Sequence, residues 1–227
     1  MSDLKNAGHD IILVTSGAIG MGAGKLQLSE RPRDVAAKQA AAAVGQCELM
    51  YTYDKLFSDY HHTVAQLLIT GDDTANESRR QNFTNTLARL LELGALPIIN
   101  ENDTVATDEI VFGDNDSLSA TVAVLTNADA LVILTDTDGL FDSDPTENPD
   151  AKIIPVVDRI DDEIRKLCGG AGTKRGTGGM ITKVHAAEIA TNAGIVTVVM
   201  NGSTPQDLYK LIDGRQIGTI FKAQNKE

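Results

Sequence analysis

Five short segments place hydroxyl, amide, carboxylate and ammonium side chains beside glycines or at the ends of apolar runs. Thr15-Ser16-Gly17-Ala18-Ile19-Gly20 follows Ile11–Val14. Small residues let backbone N–H groups approach an anion there, and the Ser16 hydroxyl can donate to a carboxylate. A plain glycine-rich strand-to-helix turn would look the same. Asn100-Glu101-Asn102-Asp103 follows Leu96–Ile99. Asp103 can bind an amino group and the asparagines can bind hydroxyls or amides, although a turn closed by Asx hydrogen bonds also fits. In Gly113-Asp114-Asn115-Asp116-Ser117 the helix cap needs one residue such as Asn115 or Asp116. Three polar residues stand in a row, and like charges so close are costly unless an ammonium group or a cation offsets them.

The fourth segment, Thr135-Asp136-Thr137-Asp138-Gly139-Leu140-Phe141, ends the run Leu131–Leu134 and suits a nucleotide's ribose and phosphates. It shares a DxDG turn with calcium loops but lacks the rest of an EF-hand spacing. The fifth, Gly176-Thr177-Gly178-Gly179-Met180-Ile181-Thr182-Lys183, opens a helix. N–H groups exposed at a helix N-terminus favour phosphate, and Lys183 in the first turn can reach the same anion. The segment matches neither the Walker A spacing nor the G-x-G-x-x-G dinucleotide signature.

The elements that must position these loops are legible in the apolar pattern. Ile11–Val14, Val64–Ile69, Leu96–Ile99, Leu131–Leu134 and Val196–Met200 are short, nearly continuous apolar runs. That is the signature of strands covered on both faces. Helices are expected from Asp34 to about Tyr60, from Asn76 to Leu93 with Gly94 as a stop, from Ser117 to about Thr126, and from Met180 to Ala193. Ser2–Gly8 reads as the last turns of a helix, and Thr104–Phe112 as a short hairpin or excursion. Alternating strands and helices imply right-handed βαβ units in an open αβα sandwich with a mainly parallel central sheet.

Composition narrows the function classes. The 227 residues suffice for one well-buried α/β domain, here taken as 1–227. With 4% aromatic residues and no Trp, Ala, Val, Leu and Ile must fill the core. A net charge of −12 argues against non-specific nucleic-acid binding, which needs basic patches. It leaves room for one nucleotide held by local cations such as Lys174, Arg175 and Lys183. Cys47 and Cys168 are too few for a disulfide framework and are expected as buried free thiols. His9, His61, His62 and His185 fall outside the five segments and read as surface or packing residues. No stretch approaches the roughly 20 apolar residues of a membrane span, and no apolar leader follows Met1, so a cytoplasmic location is expected.

TSGAI, the AAVGQ of Ala42–Gln46, NENDTVA, GDNDSLSA, TDTDGLF and GTGGMITK occur here in the order found in the glutamate 5-kinase family. The sequence resembles that branch of the amino-acid kinases from about Lys5 to Ala223. The resemblance implies ATP-dependent phosphorylation of the L-glutamate side-chain carboxylate, as the first step of proline biosynthesis. It implies Mg²⁺ with the ATP, proline as feedback inhibitor, and a homo-oligomer. Carried over by position, Ser16, Gly17, Asp103 and Asn115 resemble glutamate-binding residues. Thr135, Asp136 and Thr177, Gly178, Gly179, Met180, Ile181, Thr182 and Lys183 resemble an ATP site. Asp116 resembles the carboxylate that orders catalytic lysines, and Lys183 the lysine that neutralises the transferring phosphoryl group. No metal ligand is assigned.

On this pattern, about 1–127 would bind glutamate and about 128–227 would bind ATP. Family members begin with a strand ending in a Lys-x-Gly-Ser/Thr loop, which this sequence does not match. The expectation is therefore a sheet lacking its first strand. No C-terminal PUA domain is expected either. Two further readings fit the same residues: another amino-acid kinase acting on a related acid, and a catalytically silent sensor of glutamate, proline or ATP.

Overall fold

The computed structural model describes residues 1–106, 114–168 and 179–224, which divide into two compact units, Met1–Asn115 and Asp116–Glu227. In the first unit α1 (Ser2–Asn6), β1 (Leu13–Val14), α2 (Ala18–Lys25), α3 (Val35–Ser58), β2 (Val64–Ile69), α4 (Gly71–Ala75), α5 (Glu77–Glu92) and β3 (Leu96–Glu101) follow in order. The strands form a parallel sheet in the order β1-β3-β2. All six residues of β3 are buried: the apolar run Leu96–Ile99, as a central strand requires, and the polar Asn100 and Glu101 that end it. Phe57 of α3 packs on Leu96 and Ile98, with Leu13, Met50, Tyr53 and Val64 around them.

Sequence chemistry sets the helix ends. The Asp34 carboxylate accepts from the Ala37 N–H and the Asn76 amide oxygen from the Arg79 N–H, each satisfying an otherwise orphaned donor. Thr70 and Asp73 form a reciprocal capping box at α4. Gly94, with φ of 74°, follows α5 as expected of a left-handed stop. Helices α2 and α3 meet backbone to backbone. A Cβ on Gly45 would lie 1.7 Å from the Ala18 carbonyl oxygen, and one on Gly22 would lie 1.8 Å from that of Ala41. Only glycine permits that approach, so the Gly of the AAVGQ segment fixes where α3 lies on α2.

In the second unit come α6 (Asn115–Thr126, its first residue in the first unit), β4 (Ala130–Thr135), β5 (Val156–Val157), α7 (Asp162–Leu167), α8 (Met180–Asn192), β6 (Val196–Asn201), α9 (Asp207–Ile212) and β7 (Thr219–Phe221). The sheet order is β4-β6-β7-β5, parallel except for β6 against β7. Leu131, Ile133, Val184, Ala187, Ala190, Val199 and Phe221 are among its buried core. Aliphatic strands lie against an Ala-rich helix, as the low aromatic content demands.

The five apolar runs are all strands, but β1 is only Leu13–Val14. Strands β5 and β7 and helices α4, α7 and α9 have periods too short to stand out in sequence. One expectation is corrected: Cys47 is exposed, not buried. The inward face of α3 is occupied by Ala42, Gly45, Gln46 and Leu49, and the residue after Gln46 turns outward. Cys168 is half-buried and His62 is buried. Burial pushes the Cys168 thiol up to about 11, leaving it a poor nucleophile. The expected Thr104–Phe112 excursion lies largely outside the described residues.

Candidate functional site

Parallel strands collect their following loops at one edge of a sheet, and ligand sites of open α/β sheets lie at the carboxyl ends. In the first unit that edge carries Thr15-Ser16-Gly17 after β1, Thr70 after β2 and Asn100–Asp103 at the end of β3. The Thr15 N–H donates to the Ile99 carbonyl at 2.9 Å, extending the β1–β3 ladder by one bond. The next residue, Ser16, is exposed, and Gly17 caps α2 with φ of 99°, a left-handed conformation that other residues adopt only with strain. This turn leaves the Thr15 carbonyl pointing beyond the ladder.

Asn115 uses that carbonyl. Its Nδ2 donates to the Thr15 carbonyl and, at 2.8 Å, to Asn100 Oδ1. Asn100 is 2% exposed; its Oδ1 also accepts from the Glu101 N–H at 2.9 Å, and its Nδ2 donates to Gln46 Oε1 at 2.8 Å. On the same helix as Gln46, the Tyr53 hydroxyl lies 2.7 Å from Thr15 Oγ1. Gln46 Nε2 is buried with no hydrogen-bond partner, an arrangement that costs on the order of 1–3 kcal/mol.

Asp103 is half-buried and lines a small cleft with Ala18, Ala42, Gln46, Leu68 and Thr104. Burial pushes its carboxyl above the usual carboxylate value, so the charged form is short of compensation in the free protein and is ready for a cation. A larger cleft of about 320 Å³ is lined by Thr70, Asp72, Asp73, Arg79 and Asn102. Within it, burial alone would raise the Asp73 carboxyl, but hydrogen bonds from Thr70 and Arg79 hold it below the usual value. That cleft contains none of Ser16, Asp103 and Asn115. Its cation, Arg79, is already paired with Asp73, so volume is a poorer guide here than uncompensated chemistry.

In the second unit Asp116 gathers two residues of the first turn of α8. Lys183 Nζ donates to Asp116 Oδ2 at 3.0 Å and Thr182 Oγ1 donates to the same oxygen at 2.7 Å. The ion pair is mostly enclosed, its side chains being 12% and 19% exposed. Gly179 is the N-cap of α8 and has no side chain to occupy the helix mouth. Met180 is half-buried and Ile181 half-exposed. Thr177 and Gly178, with Lys174, Arg175 and Gly176, lie outside the described residues.

Thr135 and Asp136 stand at the carboxyl end of β4 beside that of β6. The Gly202 N–H donates to the Thr135 carbonyl at 2.8 Å, and Asn201 Nδ2 to Asp138 at 2.7 Å. Thr135 Oγ1 donates to Asp136 Oδ1 at 3.2 Å. The structure thus unites Asp116, Thr182 and Lys183, and separately Asn115 with Thr15 and Asn100. Sequence reasoning assigned no role to Gln46, Tyr53 or Asn201. Gln46 alone left a signal, as the last residue of the AAVGQ segment. Among the described residues no group of three or more His, Cys, Asp or Glu side chains is placed to hold a metal.

A family model described as "Amino acid kinase family" matches residues 1–201. Glutamate 5-kinase of Clostridium perfringens (strain 13) is 50% identical over 231 residues, covering 100% of this chain and 86% of its own length. Glutamate 5-kinase of Caldanaerobacter subterraneus subsp. tengcongensis is 52% identical over 97% of this chain, which spans 59% of that relative's length. Among solved structures, the "T. acidophilum isopentenyl phosphate kinase product complex" superposes with a TM-score of 0.65 at 18% identity, covering 97% of this chain and 87% of its own. The UMP kinase from Bacillus anthracis gives 0.61 at 16%, covering 99% and 84%. At such identities these two establish the fold alone.

Proposed function

The chain belongs to the amino acid kinase family, and we propose that it transfers the γ-phosphoryl group of ATP to the side-chain carboxylate of L-glutamate. The product is glutamyl 5-phosphate, and the reaction opens proline biosynthesis. The observation that carries this reading is identity of about 50% along the whole chain to proteins named glutamate 5-kinase.

The geometry supports the chemistry. A carboxylate is ionised at pH 7, so the nucleophile needs no general base. The difficulty is bringing two anions together, which is a matter of positioning and of cations facing the phosphoryl oxygens. Lys183, held by Asp116 at the mouth of a helix whose N–H groups point outward, is suited to that charge. Thr182 is held by the same carboxylate. Gly179, Met180 and Ile181 complete the described part of this ATP segment, and Thr135 and Asp136 would take the nucleotide's ribose and phosphates. Asp103 would pair with the substrate ammonium group, while Ser16 and the N–H groups around Gly17 would receive a carboxylate. Asn115 would hold the amino acid beside them.

Mg²⁺ would arrive on the ATP oxygens and add positive charge there. Proline, sharing the ammonium and carboxylate of an amino acid, is proposed as a feedback inhibitor. A homo-oligomer in the cytoplasm completes the proposal; no helix among the described residues is long and apolar enough to cross a membrane. ADP release measured with Mg-ATP and L-glutamate, N-acetylglutamate, UMP or isopentenyl phosphate tests the central assignment. Glutamate should turn over fastest. Faster turnover of another acceptor, or none with any, would overturn it.

A further inference from the structure

The Gln46–Asn100–Asn115 chain has only one consistent sense. A peptide N–H can only donate and a peptide carbonyl can only accept. The Glu101 N–H therefore requires Oδ1 of Asn100 on its side. Asn100 then has Nδ2 left for helix α3, and Gln46 must answer with Oε1. At the other end, the Thr15 carbonyl and Asn100 Oδ1 both require donors, and Asn115 Nδ2 supplies them. Both N–H bonds of Asn115 are thereby used. The atom of Asn115 left for a ligand is Oδ1, an acceptor, which suits an ammonium group and repels a carboxylate.

Helix α3 holds this arrangement from two places. Gln46 fixes Asn100, and Tyr53, seven residues on and so on the same helical face, fixes Thr15. The helix cannot slide, because Gly45 is pressed against the Ala18 carbonyl. The unpartnered Nε2 of Gln46 adds a second indication. For packing alone an apolar side chain would be better there, so the oxygen is what the site uses.

We propose that Gln46 is a positioning residue that keeps Asn115 Oδ1 turned toward the substrate as an acceptor, making the site selective for a dicarboxylic acid with a free α-amine over the same acid without one. This rests on the assignment of Asn115 to the glutamate site. The test is Gln46→Met, similar in size but without the acceptor, assayed with Mg-ATP and either L-glutamate or glutarate. The value of kcat/KM for glutamate should fall on the order of tenfold to a hundredfold, the range for a hydrogen bond to a charged group, while that for glutarate keeps its wild-type value. Gln46→Glu, which retains an oxygen facing Asn100, should keep the preference for glutamate. Equal losses on both substrates, no loss on either, or loss of preference in Gln46→Glu would overturn the proposal.

A second readout does not depend on turnover. In protein labelled with ¹⁵N-asparagine, the side-chain amide protons of Asn115 should exchange about tenfold faster in Gln46→Met, as one lost hydrogen bond implies. Unchanged exchange sinks the relay. Absence of glutamate turnover in the wild type sinks the functional assignment instead.

Discussion

The two units hold their polar side chains by opposite electrostatic means. In the first, neutral amides and a hydroxyl are locked to one another and to backbone groups around a 2% exposed Asn100. In the second, a carboxylate and an ammonium group form an enclosed ion pair with a threonine hydroxyl on the same oxygen. A network of neutral groups fixes orientation without imposing charge, which suits discrimination among small acids. An ion pair at a helix mouth stores a cation in place, which suits a reaction between two anions. The contrast suggests that changes in the first unit act on affinity for the acceptor and changes in the second act on turnover.

Three substitutions test that division. The largest effect is expected for Lys183→Met, which should lower kcat by a factor of about 10²–10³, as loss of one preorganised cationic or donor group does. KM for glutamate should stay near the wild-type value. A rise in KM with kcat preserved would place Lys183 on the binding side and break the comparison. Thermal melting of the same variant shows whether the uncompensated Asp116 also weakens the fold.

Asp103→Asn comes next. Loss of a charge-assisted contact to an ammonium group should raise KM for glutamate on the order of tenfold or more. The pH dependence has a definite sign. Because burial raises the Asp103 carboxyl above its usual 3.8, the folded protein holds that proton more tightly than the unfolded chain. The charged group therefore opposes folding at neutral pH, and the opposition is relieved as pH falls through the raised value. Asp103→Asn should accordingly raise the melting temperature at pH 7 while weakening glutamate binding. It should also abolish an acidic inflection in kcat/KM that lies above 3.8 in the wild type. Melting at or below the wild-type temperature would count against this electrostatic account.

The smallest of the three is Gly45→Ala. A methyl group 1.7 Å from the Ala18 carbonyl must separate α2 from α3, and overpacking of this kind costs about 1–3 kcal/mol. Urea unfolding should show that loss. Since Gln46 and Tyr53 ride on α3, glutamate affinity should fall with it while KM for ATP does not. An equal change in both would mean that the helix crossing serves the fold as a whole.

Much of this was legible beforehand in particular residues. The run Leu96–Ile99 announced its strand by continuous apolar character, although the strand itself continues through the polar Asn100 and Glu101, and Asn76 and Gly94 marked the bounds of the preceding helix. Asp116, Thr182 and Lys183 were picked out by their places in two segments, although their contact spans 67 residues of chain. Strand β7 was not legible, because three residues carry too little period. Gln46 was visible only as part of a motif. Its role arises from Asn100, 54 residues away, and no local pattern contains that partner.

By itself the sequence determined the α/β class, the helix caps and the family, since these depend on short-range propensity and on the residues that carry the resemblance. Tertiary structure decided that Asn115 offers an oxygen and no N–H, because that choice is settled by the Glu101 N–H and the Thr15 carbonyl, which no spacing rule places beside it. It also decided that Asp103 is charged at an energetic disadvantage, because burial is a property of the packed chain. Residue types set what each group can donate or accept; only folding determines which of those capacities are left for a ligand.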